Sequence, residues 1–594
     1  TACSLYETRC GGSAGRDLGP LNCIHLFPFK NMRSGDRPHR HYGINFALYC
    51  LWQDVSRSTL YFLYLERRTV MRGRRMRVLC GLLVLLLTLT ALAGCADTPK
   101  DPEPGEDPGQ EQTGEPEYEE RELLNKNLFV FTTQDDFAQG HNDGTVVSNY
   151  GNGAITLADG STSGTYTSPI IKTSPFEYMI LSWNADTPGD SNVTIHGRVR
   201  VKGEWSKWLS WGTWSTSSYP GADGKTRMPG SATAPEQEDA IAKVATDELY
   251  VKGRDGETAD AFQYRLILNS GSESANKPHV RLMASTVRNT LAGQAIPAAV
   301  PANAAELAEL DHALDVPVYS QSVRDPMIAS SICSPTSVAM ALEYFGHEVT
   351  PEQSAWLACD YVGNMFGNWS FNVASAASFD LSGYVAYFIQ EEGGDPWLQV
   401  KEQIAAGNPV IVSVRYRSPE SSEPYPVVEG VPISSTGGHL VLVRGFTWEN
   451  GVEYVIVNDS AAKDNEGVHR KYRADQFAEA WRKVAYVIYS DPAEIGEPSA
   501  PTPIQAELVA VGEPQDGFQY FELRVDGEAI NVSDERMRGI SVSYNGQIST
   551  YVTVRTSILS NSQYLRFETS NKPGTYTYTF IDMDKNTYQA TIDW

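Results

Sequence analysis

The stretch SSICSPTSVAMALEYFG, residues 330–346, decides how the middle of this 594-residue chain is read. Ser334-Pro335-Thr336 leading into an apolar run is a helix entry. Proline is favoured in a first turn, where its missing N–H costs nothing. Val338, Met340, Ala341, Leu342 and Phe345 are spaced to bury one face, and Gly346 suits the left-handed position that ends a helix. Cys333 therefore falls at or just before a helix N-terminus. Unpaired N–H groups and the positive end of the dipole favour an anion there, which eases loss of the thiol proton. Taken alone, the stretch fits a small core residue as well as a nucleophile.

A second stretch, STGGHLVLVRGFTWENGVEYVIVNDSA at 435–461, reads as a hairpin. His439 opens an apolar strand, Glu449-Asn450-Gly451 supplies turn residues, and the return strand ends at Asp459. A turn centred on 449–450 pairs residues whose numbers sum to about 899. His439 then faces residue 460, give or take one, with Asp459 beside it. An aspartate next to a histidine fixes its tautomer and stabilises its charged form. A satisfied histidine and a solvated turn acid are the plainer alternative. Gln321, twelve residues before Cys333, offers an amide that with the Cys333 N–H could hold a developing oxyanion. A nucleophile at a helix start, a later histidine and an acid on the next strand are the parts of a thiol triad.

The pieces VPVYSQ, CSPTSVAMALEYFG, GNWSFNVASAASF, GGHLVLVRGF and VIVNDSA resemble the papain-like cysteine peptidases of the bacteriocin-processing, double-glycine type (family C thirty-nine). The likeness spans about 315–490 and is nearest to the secreted, stand-alone relatives. It implies Cys333 as nucleophile, His439 as base and then acid, Asp459 as its partner and Gln321 at the oxyanion. It implies no cofactor. Gly367 to Asn372 matches a segment near the cleft, either structural or substrate-facing. Ser334 stands where glycine is common, which predicts a narrower or altered site, and Ser460 stands where proline is common. The exporter role of that type is not carried over, because no ATP-binding segment accompanies the motif here.

Outward from this region the chain turns to alternating β patterns. Residues 127–290 carry LFVFTT, YMILSWNA, VTIHGRVRV, ELYVKG, FQYRLILN and HVRLMAS between turn clusters, which predicts a jelly-roll-like sandwich. Within it lie Trp205, Trp208, Trp211 and Trp214, read either as a glycan-stacking platform or as a packed ladder of rings and polar side chains. Residues 291–313 form an Ala- and Pro-rich linker or docking helix, and 493–504 a second linker. Residues 505–594 alternate again and fit an immunoglobulin-like sandwich. The expected fold is thus multidomain, with an N-terminal all-β sandwich, a central α+β papain-like domain over 314–492 and a C-terminal immunoglobulin-like sandwich.

The first 126 residues differ from the rest. Residues 1–70 are basic, hold four of the eight cysteines and show no sustained periodicity, which reads as upstream translation without a fold. From Met71, four arginines precede the apolar run Val78 to Leu92 and then Leu92-Ala93-Gly94-Cys95. Such an order resembles a bacterial lipoprotein signal over 71–94, with lipid carried on Cys95. Residues 95–126 are an acidic, Pro- and Gly-rich tether. The chain carries a net charge of −25, and its acid excess lies beyond the basic start. Nothing here suits nucleic acid, and an acidic chain needs its lipid to stay on an anionic membrane.

These readings lead to a lipid-anchored peptidase on the extracellular face of the bacterial cytoplasmic membrane, acting on peptide or protein, including cell-wall peptide. Two alternatives use the same residues. One is a surface glycan- or protein-binding module with an inactive papain-like scaffold. The other is a transglutaminase-type acyl transferase.

Overall fold

The computed structural model describes residues 116–594 apart from short stretches, chiefly 221–225, 232–236, 253–255, 391–392, 491–502 and several between 534 and 585. The signal-like segment, Cys95 and the acidic stretch to residue 115 lie outside the described residues. Three β-rich regions follow one another, and the helices concentrate in the middle one. No helix among the described residues is long and apolar enough to cross a membrane.

Two sheets form the N-terminal region. One includes Ile170–Phe176, Asn192–Val201 and Ala259–Asn269, and the other Tyr178–Asp186 and His279–Arg288. Alternation sends Ile171, Val193, Ile195, Val199 and Phe262 from the first sheet against Phe129, Ile155, Leu181, Trp183 and Met283 from the second, so the sheets share one core. The sandwich begins earlier than the sequence suggests. Glu120–Glu122, assigned above to the tether, pairs in parallel with Ile170 to Lys172.

The tryptophan run is divided by its environment. Trp211 and Trp214 are fully buried. The Trp211 indole donates to the Asp247 carbonyl at 2.7 Å, and Trp214 packs on Phe371. Neither can meet a glycan, so a four-ring platform is not formed. Trp205 and Trp208 are half-buried, and guanidinium groups lie over them. Arg198 is 4.7 Å from one ring and 4.5 Å from the other, Arg265 is 4.0 Å from Trp208, and Arg200 is 5.7 Å from Trp205. Each contact is worth roughly 0.5–2 kcal/mol.

The central region is an antiparallel sheet ordered Ser382–Tyr387, Trp481–Tyr489, Val410–Arg417, Ser435–Glu449, Val452–Asn458 and His469–Arg473. Ala-rich linker residues join it, since His312–Ala313 pairs with Gly445 and Phe446. The helix Cys333–Tyr344 packs on this sheet, buried from Cys333 to Leu342 on every face. It ends in a Schellman arrangement. Gly346, at φ 96°, donates to the Glu343 carbonyl and His347 to that of Leu342.

Ser382–Tyr387 is an edge strand, and exposed edges recruit other chains. Here side chains of the N-terminal sandwich cap it. Asn184 exchanges two hydrogen bonds with Gly383, at 2.9 and 3.0 Å. Ser182 accepts from the Val385 N–H, Thr286 accepts from the Tyr387 N–H, and Asn127 donates to the Tyr387 carbonyl. Arg281 donates to the Ala377 and Leu381 carbonyls and to the Ser382 hydroxyl. The helix Trp369–Ala377 is buried along its whole length between the two regions. Asp247 accepts from the Trp369 N–H at 2.6 Å, and Phe371 enters the sandwich core edge-on to Trp183 and Trp214. Segment Gly367 to Asn372 is therefore an interface element.

The C-terminal region has two sheets. One is built on Met537–Tyr544, Thr575–Asp582 and Thr587–Asp593, the other on Glu507–Gln515, Phe518–Val525 and Tyr564–Glu568. Phe521, Leu523, Leu565, Phe567, Tyr576, Tyr578 and Phe580 fill the core between them.

Candidate active site

Cys333 is the first residue of its helix and only 3 % exposed. Cys333 and Cys359 are both buried and are not joined to each other by a disulfide. Ser334 points away from the cleft side. Its hydroxyl meets the Tyr486 hydroxyl at 2.8 Å on the sheet beneath, fully buried. The hydroxyl that distinguishes this serine from a glycine is thus engaged with the sheet.

His439 sits in Ser435–Glu449, paired with Val414 beside an irregularity in Val410–Arg417. The hairpin turn is Asn450-Gly451, both at positive φ, one residue later than the sequence reading placed it. Pairing sums to 901 near the turn and to 900 beyond a bulge at Gly445. At Gly445 a side chain would strike the His312 and Ala313 backbone. The ladder stops at Leu442 and Asn458, and Asp459 then turns toward the histidine. His439 Nε2 and Asp459 Oδ1 are 2.8 Å apart.

Asp459 is fully buried, and four donors surround its carboxylate. Oδ1 also accepts from the Ala461 N–H at 3.1 Å, and Oδ2 accepts from Tyr472 at 2.8 Å and Tyr416 at 3.3 Å. Burial alone would raise its pKa, but the His439 charge and these bonds outweigh it and hold the carboxyl below its ordinary range. For His439, burial disfavours the imidazolium. The Asp459 carboxylate and a hydrogen bond with Cys333 prevail, so its pKa is raised. Since Asp459 engages Nε2, Nδ1 is the ring nitrogen left for the Cys333 sulfur. Tyr416 also lies edge-on to the imidazole, with ring centres 6.2 Å apart.

Gln321 opens a short turn, Gln321–Val323, tied to the loop after Asp459. The Gln321 N–H donates to the Ser460 carbonyl at 2.9 Å, and its Oε1 accepts from the Ser460 hydroxyl at 2.9 Å. Nε2 donates to the Ala329 carbonyl at 2.8 Å. The segment from Gln321 to Cys333 is pinned at its base by a buried pair. Arg324 grips Glu352 with bonds of 2.6 to 3.1 Å, and Glu352 also accepts from the Asp325 N–H. Tyr416, Tyr472, Arg324 and Glu352 were missed in the sequence, where Ser460 was noted only as standing in place of a common proline. Each acts across a distance in the chain that no local pattern encodes.

Residues 313–489 match the model described as the Peptidase C39 like family, and residues 127–287 match the one described as the Peptidase C39 N-terminal domain. Its central region, residues 313–489, is a C39-like peptidase domain. The two matched regions meet at the capped edge strand, and the first match supports a peptidase as the class of activity. No curated protein matches it. Among solved structures, similarity extends to a double glycine motif protease from an AMS/PCAT transporter in complex with the leader peptide. That likeness has 17 % identity over 30 % of this chain and 93 % of the other, at a TM-score of 0.19. It extends also to a Paenibacillus sp. cycloisomaltooligosaccharide glucanotransferase complexed with cycloisomaltoheptaose. There identity is 10 % over 74 % of this chain and 44 % of the other, at a TM-score of 0.14. Scores this low say nothing about the fold.

Proposed function

We propose that this protein is a cysteine peptidase that hydrolyses peptide bonds through Cys333, His439 and Asp459. The observation that carries the proposal is the 2.8 Å bond from His439 Nε2 to a buried, four-fold hydrogen-bonded Asp459, with Cys333 as the ring's other partner. In this reading the central sheet and the Cys333 helix form a papain-like core, and residues 505–594 an immunoglobulin-like sandwich. The Cys333 thiol gives its proton to His439, the thiolate attacks the scissile carbonyl carbon, and the Cys333 N–H together with the Gln321 amide receives the negative oxygen. His439 gives its proton to the leaving amine, leaving an acyl-enzyme. It then takes a proton from water as that water attacks the thioester, and the acid product and free thiol result.

The substrate is peptide or protein outside the cell, reached from the membrane surface through lipid on Cys95. Fluorescein-labelled casein tests the chemistry. Wild type releases dye-labelled fragments, and Cys333→Ala does not. Equal release by both would remove the proposal. Incorporation of an alkyne-tagged fatty acid, lost in Cys95→Ala, tests the anchor separately. An untagged wild type would refute it.

A further inference from the structure

We infer that Ser460 is a positioning residue for Gln321, fixing which end of that amide serves the oxyanion. The inference rests on the proposed cysteine-peptidase chemistry. An amide's oxygen and nitrogen ends have nearly the same shape, so its neighbours decide its direction. The Ser460 hydroxyl has one hydrogen, and it is given to Gln321 Oε1 at 2.9 Å. The oxygen end is thereby held on the Ser460 side. The nitrogen end gives one hydrogen to the Ala329 carbonyl at 2.8 Å and keeps a second N–H. Ala329 opens the turn Ala329–Ser331 that leads directly to Cys333.

Both residues are buried, so water cannot compensate a wrong pairing. The Gln321 backbone is held by the same residue, through the Ser460 carbonyl. Ser460 also directly follows Asp459. One short turn therefore orients both the histidine, through the carboxylate, and the oxyanion amide, through the hydroxyl.

Two reagents separate this role from a merely structural one. p-Nitrophenyl acetate acylates Cys333. The sulfur bonds to the acetyl carbon, and the carbonyl pair moves to oxygen. That pair returns as the bond to p-nitrophenolate breaks, leaving a thioester. This route needs the oxyanion donors, whereas iodoacetamide alkylation forms no oxyanion. Losing one such donor outright costs about 100- to 1,000-fold, so losing its orientation is expected to cost about tenfold.

In the full chain, with Cys333→Ala subtracting other thiols, Ser460→Ala should slow p-nitrophenolate release about tenfold and leave alkylation within about twofold of wild type. Ser460→Ala should add nothing in a Gln321→Ala background. An unchanged ratio of the two rates overturns the inference. Equal slowing of both reactions, or effects that multiply across the two substitutions, overturns it as well. Wild-type release by Cys333→Ala would instead refute the catalytic reading itself.

Discussion

Two β-sandwiches flank the same central region, and they are built into the chain in opposite ways. The N-terminal one lends Asn184, Ser182, Thr286 and Asn127 to the central sheet's edge strand and takes Leu357, Phe371 and Ala374 into its own core. The C-terminal one fills its core, among the described residues, from within 506–594. The lesson is that a sandwich can serve as half of a neighbour's fold or as a self-contained module. The difference is visible in whose backbone groups and whose apolar side chains it buries.

The sharpest way to break this contrast is truncation. A chain lacking residues 116–290 leaves the Ser382–Tyr387 edge and the Trp369–Ala377 helix uncovered. It is expected to bind a hydrophobic dye, aggregate and lose selective Cys333 labelling. A chain lacking residues 503–594 should label as wild type does. If the two truncations behave alike, the contrast fails.

Single core residues should divide along the same line. Phe371→Ala should cost about 3–5 kcal/mol and lower the urea midpoint of the sandwich and the central region together. Phe567→Ala should cost a similar amount but move a separate transition that leaves Cys333 labelling untouched. At the interface, Arg281→Met strands two buried carbonyls, those of Ala377 and Leu381, and should cost about 2–4 kcal/mol by the same denaturation. On the outer face of the N-terminal sandwich, Arg265→Met removes one guanidinium from over Trp208 and should cost only about 1 kcal/mol. A larger loss there would mean that the ladder holds the sandwich together.

Local chemistry made some of this legible in the sequence. Proline after Cys333 and Gly346 at the far end bracket a helix, and Asn450-Gly451 can hardly be anything but a turn. Alternation in 127–290 and 505–594 gives strands whatever their partners. The β-rich, multidomain architecture follows from those signals. What pairs across the chain was not legible. Trp205 and Trp214 have the same spacing and chemistry in sequence, yet one lies under guanidinium groups and the other in a core. Nothing near Asp459 announces Tyr416 or Tyr472, which reach it from other strands. Gly367 to Asn372 looked like part of a cleft because its partner is a different domain. Ser334 looked obstructive because the sequence does not tell which way a side chain in a helix's first turn points.

The most direct test of the central claim is iodoacetamide alkylation of Cys333 against pH, in wild type and in Asp459→Asn. The Asp459 carboxylate raises the His439 pKa, so the protonated ring should persist as the pH climbs past about 6.5, its ordinary value. Stability drawn from that ring is fully present below this value and is lost as the pH rises through the raised one. The account predicts that wild-type Cys333 alkylates readily near pH 6, where an ordinary thiol with a pKa of about 8.5 is slow. It also predicts that Asp459→Asn shifts the upper limit of this enhanced reactivity to lower pH. An ordinary thiol profile in wild type, unchanged in Asp459→Asn, would contradict it.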